Sequence, residues 1–150
     1  MKKFFTLFII LGITSCSNET LDSETASVDK DETYNWRLVT SWPKNYPGLG
    51  MAPERIADLV EEMSNGQMTI TVYGAEEQVP AFGVFDAVSS GSHQMGHSGG
   101  YFWKGKVPAA QFFTSVPFGL TADEINAWVN RGGGLELWRE IYEPFNIYPI

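Results

Sequence analysis

The chain has 150 residues, a formal charge of -8 at pH 7, 14% aromatic residues and one cysteine. One domain of that length buries a sizeable core. The acidity excludes a nucleic-acid binder, because phosphate binding needs a basic stripe that is nowhere in the sequence, and a lone cysteine excludes an intrachain disulfide.

Residues 1–16 read as a lipoprotein signal peptide. Lys2 and Lys3 form a positive start, and Phe4 to Leu11 is apolar apart from Thr6. That run is too short to span a bilayer. Its end, Gly12-Ile13-Thr14-Ser15-Cys16, resembles a bacterial lipobox. Cleavage before Cys16 and lipidation of that cysteine are therefore expected, so the membrane is met only through a lipid anchor. Residues 17–33 are polar and acidic, with too little apolar surface to offset ordering entropy. They read as a disordered tether, and residues 34–150 as the folded part.

Trp36–Trp42 alternates as a first strand, ended by Pro43. Met51–Ser64 is an amphipathic helix, with Met51, Ile56, Leu59, Val60 and Met63 on its apolar face and Pro53 in its first turn. Asn65-Gly66 stops it. Met68–Tyr73 is a second, β-branched strand. Val79–Ser90 is a short apolar helix, with Val79, Phe82, Phe85 and Val88 spaced for one face. Gln94–Ser98 is a short third strand of small residues, and Ala109–Val116 is expected to end as a strand. Thr121–Arg131 is a helix opened by a capping box of Thr121 and Glu124. A second helix covers Leu135–Phe145, bent by Pro144, and Ile147–Ile150 looks like the start of a strand.

Strands alternating with helices imply a three-layer α/β/α arrangement around a largely parallel sheet. Ligands in such folds sit beyond the carboxyl ends of the strands. The loops there are Trp42–Gly50, Gly74–Pro80 and Ser98–Trp103, and they carry much of the aromatic content.

Gly96-His97-Ser98-Gly99-Gly100 fits the G-x-S-x-G nucleophile elbow. A hydrolase of that type needs a histidine after the serine, and both histidines, His93 and His97, precede Ser98. Their spacing of four suits metal ligands only on a helix, and no third ligand stands nearby. The acid pairs Glu61-Glu62 and Glu76-Glu77 read as solvated surface, and no phosphate-binding loop is present. The chemistry on offer is recognition without reaction: an aromatic cleft lined by small residues, and no enzyme.

The stretch MGHSGGYFWKGKVPAAQFFTSVPFG at Met95–Gly119, the helices to Phe145, VPAFGVFDAVSSG at Val79–Gly91 and WRLVTSWP at Trp36–Pro43 resemble the solute-binding proteins of tripartite ATP-independent periplasmic (TRAP) transporters. The branch most similar binds 2-oxo acids such as pyruvate, or lactate, sometimes beside a metal ion (Na or Ca). The resemblance implies a periplasmic-binding-protein-like lobe whose second lobe is missing here. It also implies a small organic-acid ligand, TRAP permease membrane subunits as partners, and a lipid-anchored protein in a Gram-negative periplasm. On the family's pattern the carboxylate-binding arginine and most metal ligands lie in the second lobe, and Arg37, Arg55, Arg131 and Arg139 match none of them. What carries over is Tyr101, as a hydrogen-bonding hydroxyl, and Trp103, as a wall of the cleft; Trp42, Pro80 and Phe82 are candidates from neighbouring loops. A secreted serine hydrolase using Ser98 and a ligand-sensing lipoprotein on the same fold are the alternatives.

Overall fold

A computed structural model describes residues 32–150. The expected signal peptide, Cys16 and most of the expected tether lie outside the described residues.

The centre of the fold is strand β1 (Tyr34–Thr40), flanked on one side by β2 (Met68–Tyr73) and on the other by β3 (Met95–His97). Both pairings are parallel, with Leu38 opposite Val72 and Met95, and Thr40 opposite His97. Alternation along β1 divides the core in two. Leu38 packs with Ile70, Val72 and Ala57 of helix α1 (Met51–Met63). Its neighbour Val39 points the other way, onto Val84 and Ala87 of helix α2 (Val84–Ser89). The three layers are therefore α1, sheet and α2, as the element order implies.

Helix α1 meets the sheet through Ala57 and, in part, Val60. Ile56, Leu59 and Met63 of the apolar stripe stay exposed. The small Ala57 lies buried among Leu38, Ile70 and Val72 of the strands.

Several boundaries differ from expectation, each for a local reason. The first strand begins and ends two residues early. The expected helix at Val79–Ser90 is interrupted. Pro80 holds an extended conformation, Ala81–Gly83 makes one 3-10 turn, and α2 begins only at Val84. Phe82 and Phe85 thus part company: Phe82 is 68% exposed and Phe85 is 3% exposed. The strand expected in Ala109–Val116 is instead a 3-10 segment, Pro108–Phe113. It folds back on another such turn, Gly100–Trp103, and buries Ala110 completely. No strand forms at Ile147–Ile150. A 3-10 turn at Glu143–Phe145, around Pro144, ends in Asn146 at φ 56, which turns the chain away from extended pairing.

Helix α3 (Ala122–Arg131) forms as read. The Thr121 hydroxyl accepts from the Glu124 N–H at 3.4 Å, and the Glu124 carboxylate accepts from the Thr121 N–H at 2.8 Å. Helix α4 (Gly134–Tyr142) follows after the glycine break. Its Tyr142 joins Phe85 of α2, Val107 and Ala110 in a third core cluster, which ties α4 to α2.

Candidate ligand-binding cleft

From β1 the chain crosses to β2 on one side and later to β3 on the other. The loops that leave β1 and β3 therefore diverge, and a crevice opens at the carboxyl ends of these two strands. A cavity of about 720 Å³ lies there. Trp42, His97, Ser98 and Tyr101 line it on the sheet side; Phe113, Ile125, Val129 and Trp138 line it from the helices. No Asp, Glu, Lys or Arg is among its lining residues.

Two polar pairs join the strand ends. The Ser41 hydroxyl donates to the Ala81 carbonyl at 2.6 Å, and Ser98 Oγ lies 2.5 Å from Ser41 Oγ. A hydroxyl has one proton. With that of Ser41 on Ala81, the Ser98 hydroxyl donates to Ser41. Beside them Thr40 Oγ1 meets His97 Nδ1 at 3.1 Å and accepts the Trp42 N–H at 3.3 Å. Burial holds the His97 imidazole below its ordinary pKa, so it is neutral near pH 7.

This wiring disposes of the nucleophile elbow. The proton of Ser98 runs to another serine and then to a backbone carbonyl, and no base receives it. The glycines of the pattern have packing reasons instead. A Cβ on Gly96 would stand 2.8 Å from the side chains of Val84 and Val88, where β3 lies against α2. One on Gly100 would stand 2.4 Å from the Ala110 carbonyl oxygen.

His93 and His97 do not converge. His93 is buried beneath Tyr73, with ring centroids 6.4 Å apart, and burial together with the nearby Arg37 lowers its pKa. His97 faces Trp42 at 5.0 Å. Among the described residues no group of three or more His, Cys, Asp or Glu is placed to hold a metal ion.

The five residues singled out in the sequence are distributed unevenly. Trp42 and Tyr101 line the cavity, Tyr101 with 42% of its surface exposed. Phe82 does not line it, but touches Phe102 edge to face at 5.0 Å, and Phe102 in turn contacts Tyr101 and Trp42. Pro80 is exposed in the link before the 3-10 turn at Ala81. Trp103 turns into the core: its ring packs on Phe85 at 5.2 Å, and its indole N–H donates to the Tyr142 hydroxyl at 2.6 Å. Sequence reasoning passed over Thr40, Ser41 and the stack in which Phe113 lies 5.3 Å from both Trp128 and Trp138, and it weighed His97 and Ser98 only as metal ligand and nucleophile.

Residues 38–148 match the family described as bacterial extracellular solute-binding protein, family 7. The chain is 42% identical, over 136 residues, to a monocarboxylate 2-oxoacid-binding periplasmic protein of Nostoc sp.; the match takes in 91% of this chain and 36% of that protein. It is also similar to two crystallised TRAP periplasmic solute-binding proteins. That of Pseudoalteromonas atlantica, with bound sodium and pyruvate, is 47% identical at a TM-score of 0.74. That of Colwellia psychrerythraea, with bound calcium and pyruvate, is 45% identical at the same TM-score. In both the match covers 76% of this chain and 35% of the other. The chain thus spans about a third of the length of these relatives.

Proposed function

Since the chain belongs to family 7 of the bacterial extracellular solute-binding proteins, we propose that residues 34–150 form the first α/β lobe of a two-lobe receptor for a small organic acid. The ligand class is a 2-oxo or 2-hydroxy monocarboxylate such as pyruvate or lactate, passed on to TRAP permease subunits. The observation that carries this reading is the cavity at the ends of β1 and β3, walled by neutral polar groups and aromatic rings. Such a wall fits a small polar ligand body. It offers no cation for a carboxylate, so that charge is met by groups outside this wall. Periplasmic location fits the family, and a lipid anchor at Cys16 fits the leader that precedes it.

Sodium and calcium accompany pyruvate in the two crystallised relatives. Hard cations are held mainly by oxygens, carboxylates above all. The cavity wall here supplies hydroxyls and an imidazole but no carboxylate. This lobe does not by itself compose such a site.

The test is calorimetry of the protein that carries this segment against a panel of 2-oxo and 2-hydroxy monocarboxylates. Saturable binding of at least one is expected, with a matching rise in melting temperature. No heat and no shift with any of them would sink the assignment. For the anchor, labelled palmitate should enter the wild-type protein in cells and be absent after Cys16→Ala.

A further inference from the structure

His97 sits between a buried partner and an open cavity. Its Nδ1 faces Thr40 Oγ1, a residue only 1% exposed. Its Nε2 meets no protein group among the described residues, although the ring lines the cavity. Two protonation patterns of a neutral imidazole are open in principle. The surroundings of Thr40 choose between them. Thr40 Oγ1 already accepts from the Trp42 N–H. Its own hydroxyl proton has one acceptor in reach, the His97 Nδ1. If Nδ1 carried the imidazole proton, the Thr40 hydroxyl would be left buried without an acceptor, which is the costly arrangement. With Nδ1 accepting, the buried Thr40 hydroxyl has its acceptor, and the imidazole proton is on Nε2, on the side of the ring that lines the cavity.

Ser98, the next residue, cannot play the same part, because its proton is committed to Ser41. Toward the cavity it presents lone pairs only.

We propose that Thr40 fixes His97 as its Nε2–H tautomer, and that this N–H donates to an oxygen of the bound monocarboxylate that can only accept, its 2-oxo or carboxylate oxygen. His97 is thereby a ligand-contacting, specificity-determining residue, and Thr40 is a positioning residue. The donation rests on the function proposed above; the tautomer rests on this structure alone.

Two measurements test it. The first is a long-range nitrogen–proton correlation spectrum of the histidine side chains at pH 7.5, without ligand. The wild type should show the Nε2–H pattern for His97. Thr40→Ser should keep it, and Thr40→Val should show a mixture. An Nδ1–H pattern in the wild type overturns the proposal, and so does a Thr40→Val spectrum identical to the wild type. The second is calorimetry with pyruvate on the protein carrying this segment, each variant first shown to be folded by circular dichroism. His97→Leu should bind about ten- to a hundredfold more weakly, as expected for a lost hydrogen bond to a charged or polarised oxygen. His97→Gln places an amide N–H near the position of Nε2 and should stay within a few-fold of the wild type. Wild-type affinity in His97→Leu overturns the donation and leaves the receptor assignment standing. Absence of binding by the wild type with pyruvate and with every other acid of the panel overturns both, while the spectrum still decides the tautomer.

Discussion

The two walls of the cavity are built on opposite principles. On the sheet side the polar protons are assigned: Ser98 to Ser41, Ser41 to Ala81, Thr40 to His97. On the helical side Phe113 lies between Trp128 and Trp138, with interplanar angles of 22° and 14°. Hydrogen bonds have direction, and stacked rings have area and shape. The first wall therefore sets which atom of a ligand faces where. The second sets how much room it has and holds the C-terminal helices in place. Damage to the helical wall should appear as lost stability, and damage to the sheet wall as altered recognition in a folded protein.

The sharpest blow to the helical wall is Phe113→Ala. It removes the middle ring of the stack and its contacts to both indoles. Burying a phenylalanine fully is worth about 3–5 kcal/mol against alanine. Phe113 is half-buried, so a loss of about 3 kcal/mol is expected. Urea unfolding should show a lower midpoint with an unchanged slope. A loss under about 1 kcal/mol would mean that the stack does not hold α3 and α4 in place.

Next in size is the contact between the two 3-10 turns. In Gly100→Ala the new Cβ stands 2.4 Å from a backbone oxygen, and backbone cannot yield as a side-chain tip can. The expected cost is about 2 kcal/mol. Gly105 is the control, since nothing lies within 4 Å of its Cβ position. Equal melting temperatures for the two alanine variants would contradict the close packing of the two 3-10 turns.

The contrast between the walls also explains what the sequence disclosed. The helical wall is largely local: the capping box at Thr121, the glycine break and the spacing of Leu135, Trp138 and Tyr142 are readable along the chain. The sheet wall is not. Thr40 and His97 are 57 positions apart, as are Ser41 and Ser98. Only the parallel register of β1 with β3 brings them together, and no periodicity within either strand announces that register. Trp103, expected as a wall of the cleft, lies elsewhere for a related reason. Tyr101 lines the cavity, but successive residues of a 3-10 turn point about 120° apart. The third ring of the aromatic run therefore enters the core, where it finds Tyr142.

A smaller effect follows from the two histidines. His93 and His97 both titrate below the ordinary value of about 6.5 because burial disfavours the imidazolium. The unfolded chain therefore takes up protons first. Stability should be full above about pH 6.5, fall as pH drops from there towards the lowered folded values, and level off below them. His93→Gln and His97→Gln should each flatten part of that slope. A stability that is flat between pH 7 and 5 in the wild type would contradict the burial of both rings.

The smallest change separates recognition from stability most cleanly. Ser98→Ala deletes a hydroxyl that only donates to Ser41. Ser41 keeps its own bond to the Ala81 carbonyl, so no buried proton loses its acceptor. The expected change in stability is therefore below about 1 kcal/mol. Ser41→Ala differs, because it strips Ser98 of its acceptor and frees that hydroxyl to turn towards the cavity. A donor appears where the wild type presents lone pairs. Ser41→Ala should thus alter the ranking of 2-oxo against 2-hydroxy acids in calorimetry, while Ser98→Ala leaves the fold almost untouched. Neither substitution should change the background rate with a nitrophenyl ester, because the Ser98 proton leads to a carbonyl and not to a base.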